Sequence, residues 1–256
     1  MKAFVLAAGK GTRLRPLTYY IPKVLLPVGG KPILDYVIDN LTSSKEIDEV
    51  FVAVSEGMES VQNYLDHRKY QRHFNVKPIQ VLSWETGGDL RLSLEQAKAS
   101  ESFVVCNGDV LTSINIDKFL RFHRKLTKSS GSMVTVALFE VKGKSAKRFG
   151  VAKTSGNLIT AFKEKPEVYP NATALVNAGY YVFDKSILDQ VDTYLPARVG
   201  KLEHTVLERL ASERKLAGNI LALPYWIDIG TIESYILAQS MILRREGLVP
   251  PVLAYE

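Results

Sequence analysis

The chain has 256 residues, 46% of them apolar and 23% charged, with a net charge of +6. That length can bury a sizeable core in one large α/β domain or two small ones, and the composition is ordinary for a soluble globular protein. No run approaches the roughly 18 consecutive apolar residues of a membrane span, and the short N-terminal apolar run leads into glycines and arginines rather than a cleavage site, so no membrane partner and a cytoplasmic location are expected.

In chain order, the first half alternates strand-like apolar runs with helical patterns. Strands are expected at Ala3–Ala7, Val50–Val54, Pro78–Leu82 and Phe103–Cys106. Between them Leu34, Val37, Ile38 and Leu41 fall at i, i+3, i+4 and i+7 behind Pro32, and Met58–Tyr64 and Leu90–Ala99 also read as helices. Alternation of this kind implies an α/β fold, a mixed but mostly parallel sheet with helices on both faces. The second half is richer in strands, at Val134–Val141, Gly150–Lys153, Leu158–Lys163 and Ala178–Phe183, with a hairpin turn at Ser155-Gly156-Asn157. Helices around Leu202–Ser212 and Ile232–Arg245 complete the pattern. No linker or repeat divides the chain, so a single domain over 1–256 is expected, with one part over about 1–130 and a second part over about 131–256.

The chemistry begins where the first strand ends. Ala8-Gly9-Lys10-Gly11-Thr12-Arg13-Leu14-Arg15-Pro16 follows the run Ala3–Ala7, and Lys23 comes ten residues after Arg13. Two glycines at a strand end let the backbone turn sharply and bring N–H groups to an anion, while Arg13 and Lys23 add mobile positive charge. Neither G-x-G-x-x-G nor G-x-x-x-x-G-K-[ST] is present, which removes support for dinucleotide binding and for P-loop hydrolysis. Lys and Arg interleave with Asp and Glu along most of the chain, so nucleic acid is not an expected partner; the modest excess suits phosphorylated small molecules. The one cysteine, Cys106, lies in an apolar strand-like run and reads as a buried thiol of a reducing compartment. His123 shares a helical face with Ile116, Phe119 and Leu120 and reads as a core histidine.

The runs LAAGKGTRLRPLT and PKVLLPVGGKPIL, followed in order by Asn107-Gly108-Asp109, Phe162-Lys163-Glu164-Lys165-Pro166, Asn177-Ala178-Gly179 and Trp226-Ile227-Asp228-Ile229-Gly230-Thr231, resemble the sugar-1-phosphate nucleotidylyltransferases over nearly the whole chain. The resemblance implies a Rossmann-like nucleotide-diphospho-sugar transferase fold whose second part binds the sugar. It implies transfer of a nucleoside monophosphate from an NTP to a hexose 1-phosphate, with release of pyrophosphate. By the same matching, Leu6, Ala8, Gly9, Lys10, Gly11, Thr12, Asn107 and Gly108 hold the nucleotide, Arg13 grips the triphosphate, and Lys23 lies between the α-phosphate and the sugar phosphate. Asp109 and Asp228 would jointly hold Mg²⁺, an ion that suits one or two carboxylates plus phosphate oxygens. Gly150, Glu164, Lys165, Asn177 and Gly179 match the sugar side, although taken singly the two glycines could mark bulges.

Glu85, Thr86 and Gly88 match the segment that faces the base, but Trp84-Glu85-Thr86-Gly87-Gly88-Asp89 departs from the Leu-Gly-Thr of many relatives. Glu85 either accepts from a guanine edge or points to solvent. Mannose 1-phosphate with GTP and glucose 1-phosphate with UTP or dTTP both stay open, as do a non-catalytic regulatory relative, transfer to a non-sugar acceptor, and a homo-oligomer. The hexapeptide β-helix that many relatives carry is not expected, because only Gly247–Glu256 follow the last helix.

Overall fold

The computed structural model describes residues 1–67, 75–167 and 173–245; the stretch after the last helix lies outside these. The apolar run behind Met1 forms β1 (Lys2–Leu6), whose three interior residues are all buried. On one side of it lie β4 (Glu49–Ser55) and then β5 (Asn75–Val81), and on the other β6 (Phe103–Asn107), all parallel. The crossovers carry α1 (Ile33–Thr42), α2 (Glu59–His67) and α3 (Glu85–Gln96), as parallel neighbours require. Two short pieces, β2 (Pro27–Val28) and β3 (Lys31–Pro32), form a small hairpin ahead of α1.

After β6 come β7 (Val110–Thr112) and α4 (Ile116–Ser130). Capping fixes both ends of α4: the Asn115 side chain accepts from Lys118 N at 2.9 Å, and Gly131 closes the C-terminus with φ of 67°. The second half supplies β8 (Val134–Lys142), β9 (Gly150–Ser155), β10 (Leu158–Glu164), β11 (Thr173–Phe183) and β12 (Leu216–Ile220). The main sheet runs β5-β4-β1-β6-β11-β8-β12-β10-β9, and β9 pairs again with the start of β11, so the last five strands close on themselves. Parallel pairing dominates the first half and returns at β8–β12; the pairs involving β9, β10 and β11 are antiparallel. The chain ends with α5 (Val191–Tyr194), α6 (Glu208–Ser212), β13 (Trp226–Asp228) and α7 (Ile232–Arg245).

Strand alternation splits the core between the two faces of the sheet. Phe4, Phe51, Phe103 and Phe183 share one face, where Phe103 and Phe183 stack at 5.1 Å and Phe4 and Phe51 at 5.4 Å. Val5, Val52, Val104 and Val182, their sequence neighbours, fill the other with α1 and α4. Cys106 is fully buried there, as its apolar setting predicts.

Two helices differ from their sequence patterns. The segment expected from Leu90 starts at Glu85, drawing Thr86, Gly87 and Gly88 into its first turn. The one expected over Leu202–Ser212 opens as a wider π turn at Glu203–Leu207 before α6. In both cases the start is set by contact between the two segments, since Gly87 N and Gly88 N donate to Gly200 O at 2.8 and 3.2 Å.

His123 is 2% exposed and its Nδ1 lies 2.8 Å from Thr135 Oγ1. Burial lowers its pKa from 6.5 to about 4. The unfolded chain therefore binds a proton that the native state refuses, so this residue's contribution to stability falls as pH drops below about 6.5 and is mostly gone near pH 4. Chemical denaturation from pH 7 to 4.5 should show wild type losing about 2–3 kcal/mol more than His123→Gln. Equal slopes would contradict the burial argument.

Candidate active site

The site sits where β1 and β6 end side by side, with the chain leaving β1 toward β4 and leaving β6 toward the opposite half of the sheet. Open α/β sheets form a ligand crevice at such a reversal. Gly108 N donates to Leu6 O at 3.0 Å, and a Cβ on Gly108 would sit only 3.1 Å from that oxygen and from Val5 Cγ1. Glycine there lets the two strand ends stay in contact.

Between Ala7 and Leu14 the loop turns on Gly11, whose φ of 62° is left-handed. A Cβ at Gly11 would lie 3.0 Å from Thr18 Cγ2 and 3.1 Å from Lys23 Cβ, so this glycine lets the Lys23 turn pack against the loop. Thr18 Oγ1 donates to Gly11 O at 2.8 Å and holds that approach. Leu14 and Val24 are buried and anchor the two turns, leaving Arg13 and Lys23 to reach the crevice.

A cavity of about 480 Å³ opens there, bringing together Leu6, Ala8, Gly9, Lys10, Lys23, Glu85, Thr86, Asn107 and Asp109. Ala7, Val24, Ala53, Ser83 and Asp89 complete its wall. Ser83 and Glu85 hold positive φ of 56° and 63°, strain that tends to persist where a site constrains the backbone. Asp89, buried within α3, accepts from Trp84 N at 2.8 Å, and burial followed by the charge of Glu85 raises its pKa. Sequence reading assigned no site role to Ser83, which lies before the Glu85–Gly88 segment, or to Asp89, which closes it.

Asp109 lies in the two-residue turn between β6 and β7, and Asp228 is brought beside it by the pairing of β13 with β7, in which Asp228 faces Val110. Ile229 N donates to Asp109 O at 2.9 Å and fixes the same junction. Trp226 anchors β13, its Nε1 donating to Ala178 O at 2.9 Å and its ring lying 4.4 Å from that of Phe139. Lys23 Nζ makes an ion pair with Asp109 Oδ2. Arg148 Nη2 lies 3.6 Å from Asp228 Oδ1, a partner that sequence reading missed although Lys147-Arg148 stands just ahead of Gly150. Burial, then the charge of Asp109, raises the pKa of Asp228 against Arg148, Lys23 and Arg13. Gly230 makes room for this cluster: its Cβ would fall 2.6 Å from Asp228 Oδ2 and 3.3 Å from Arg13 Nη2.

The expected sugar-side residues lie together on the second half but outside the cavity wall. Gly150 pairs with Glu164, and its Cβ would strike Phe162 Cζ at 2.4 Å and Glu164 Oε2 at 2.8 Å. Lys165, at a φ of 45°, pairs with Glu164 at 3.0 Å. The amide of Asn177 is engaged within the β11 bulge, accepting from Gly179 N at 2.9 Å and donating to Tyr181 OH at 2.7 Å. Gly179, with φ of 73°, brings β11 against Asn107, whose Nδ2 would be 2.7 Å from a Cβ.

The Thr86–Gly88 segment is turned toward the chain rather than left bare. Thr86 Oγ1 donates to Glu203 Oε2 at 3.0 Å and accepts from Leu202 N at 2.8 Å. A Cβ on Gly88 would be 2.1 Å from Arg198 O, so close approach at this glycine is to the chain itself. Thr12 begins the short 3-10 turn that carries Arg13.

Fold and site together define an α/β protein built around a cationic crevice at its strand ends. A nucleotidyl transferase family model matches residues 2–245, and the chain belongs to that family. A Sulfolobus acidocaldarius protein provisionally named a mannose-1-phosphate guanyltransferase is 31% identical over 235 residues, covering 92% of this chain and 61% of the relative. A Synechocystis UTP–glucose-1-phosphate uridylyltransferase is 27% identical over 271 residues, covering 96% of this chain and 64% of its own. The chain thus spans less than two thirds of the length of these curated relatives. A Bacillus anthracis crystal structure, provisionally a glucose-1-phosphate thymidylyltransferase, shares the fold with a TM-score of 0.78 at 24% identity, covering 94% of each chain. No described helix is long and apolar enough to cross a membrane.

Gly230→Ala should strip most activity while leaving the fold intact, because the added methyl meets the ends of Asp228 and Arg13 rather than backbone. Turnover measured beside the thermal midpoint checks this; full turnover would show that the two side chains need no such clearance.

Proposed function

We propose that this chain transfers a nucleoside monophosphate from an NTP to a hexose 1-phosphate, giving an NDP-sugar and pyrophosphate. The observation that carries the reading is the Asp109–Asp228 pair with Lys23, Arg13 and Arg148 around it, beside a cavity of about 480 Å³. Phosphoryl-group transfer depends on positioning anions and stabilising shifting charge, and this arrangement supplies both without a side-chain nucleophile. A phosphate oxygen of the sugar phosphate attacks the α-phosphorus in line, the bond to the β-phosphate breaks, and pyrophosphate departs with the electron pair. Arg13 neutralises the leaving pyrophosphate, and Lys23 reduces the repulsion between the two approaching anions. Gly9, Lys10 and Gly11 supply loop N–H groups and charge to the triphosphate, while Glu164 and Lys165 meet the sugar.

Asp109 and Asp228 fit a magnesium ion. Among the described residues no third His, Cys, Asp or Glu joins them in a metal-binding group, and two carboxylates leave positions for phosphate oxygens, the set magnesium favours. When bound, the ion supplies Lewis-acid stabilisation to phosphate oxygens. Asp109→Ala and Asp228→Ala should each lose most activity without unfolding, and the double variant should lose little more, since they act as a unit. Additive losses would refute the shared site.

Mannose 1-phosphate with GTP is the substrate pair we put first: Glu85 lines the cavity, where its carboxylate can accept from a guanine edge, and guanyltransferase names recur among the relatives. Glucose 1-phosphate with UTP or dTTP is the second reading, favoured by the uridylyltransferase relative and the thymidylyltransferase neighbour. Pyrophosphate release with Mg²⁺ across five NTPs and three hexose 1-phosphates decides between them. Silence across that grid with nucleotide binding retained would favour a regulatory role. The single buried Cys106 suits a reducing, cytoplasmic setting.

A further inference from the structure

We infer that Arg148 is a substrate-phosphate residue held in reserve on Asp228, released when a divalent cation takes over that carboxylate. The inference rests on the proposed reading of Asp109 and Asp228 as metal ligands, and goes beyond it by giving a second role to the cation paired there.

Arg148 is held loosely. At 3.6 Å its Nη2 is within ion-pairing range of Asp228 Oδ1 but beyond hydrogen-bond distance, and its side chain is 53% exposed. Its other contact, over the Phe149 ring at 5.7 Å from the centroid, is near the limit of a cation–π interaction. A guanidinium that could grip an anion through two parallel hydrogen bonds makes none with this carboxylate.

Its root lies on the other wall of the site. Arg148 ends the 3-10 turn Gly143–Arg148, two residues before Gly150, which pairs with Glu164. The backbone belongs to the proposed sugar side while the charge rests on the carboxylate pair. Rotation about the side chain is the movement that would carry that charge from one to the other.

Charge balance gives the exchange a direction. Asp228 feels one like charge, Asp109, and three opposite ones, Arg148, Lys23 and Arg13. Glu233, at the start of α7, also lies within the field of Arg148. Lys23 is mostly buried on Asp109, whereas Arg148 and Arg13 are exposed, and of these two Arg148 is the one within ion-pairing range of Asp228. With a divalent cation on the carboxylates the cluster carries excess positive charge, and Arg148 is the cation that loses its partner on Asp228 and turns to an incoming phosphate. Metal and Arg148 therefore compete for Asp228, while metal and phosphate cooperate through Arg148.

Mn²⁺ binding followed by electron paramagnetic resonance without nucleotide, on the full chain, tests the competition. Arg148→Gln should bind Mn²⁺ about fivefold more tightly than wild type, the scale of a half-exposed ion pair. With Mn²⁺ present, calorimetry should show mannose 1-phosphate and glucose 1-phosphate binding about tenfold more weakly to Arg148→Gln, the scale of a charge-assisted hydrogen bond. Arg148→Lys should restore part of both. A purely structural role would move the two affinities in the same direction or neither, and either result overturns the inference. Asp228→Asn separates the layers: Mn²⁺ affinity unchanged by it would refute the metal site itself, whereas its loss in Asp228→Asn with no gain in Arg148→Gln would refute the reserve role alone.

Discussion

Two carboxylates that repel each other, brought side by side, are the constraint on which the rest of the site depends. Asp109 and Asp228 lie 119 residues apart in the chain, and the three-residue pairing of β7 with β13 holds them together. Hydrogen bonds set that junction in place, and the indole of Trp226 ties it to β11. Around this negative centre the chain gathers cations from three separate turns: Arg13 from the glycine loop, Lys23 from the turn it packs on, and Arg148 from the entry to β9. Each turn has a glycine nearby whose side-chain hydrogen admits the neighbour, at Gly11, Gly150 and Gly230.

Much of the framework was legible in the sequence. The parallel strands around β1 follow from short apolar runs, because a strand covered on both faces needs no polar alternation. His123 and Cys106 were read as core residues from their neighbours alone, and both are buried. Leu6, Ala8, Gly9, Lys10 and Lys23 meet at one cavity because they are local in sequence and their turn chemistry is strong, while Gly11, Thr12 and Arg13 stand outside its wall.

What escaped was set by distant contact. The start of α3 could not be read from periodicity, since two glycines argue against a helix and only the carbonyl of Gly200 explains their place in it. Arg148 gave no signal because a basic pair before a strand is common on solvated surfaces; its meaning comes from a carboxylate eighty residues later in the chain. Asn177 carried a motif role, yet its amide is turned onto its own bulge, a local demand that no spacing reveals.

One strand joins the two halves of the molecule. The start of β11 pairs with β9, its end pairs with β6, and β8 runs alongside both stretches. Such a shared strand behaves as a torsion bar: the first half and the second half cannot swing apart on a flexible hinge without tearing a sheet. Any closing motion has to be taken up as twist, concentrated where the ladder is already broken between Asn177 and Tyr181. Gly179, pressed against Asn107 in the cavity wall, sits at that point, so a change in the angle between the halves would be felt first at the cavity-facing end of β6.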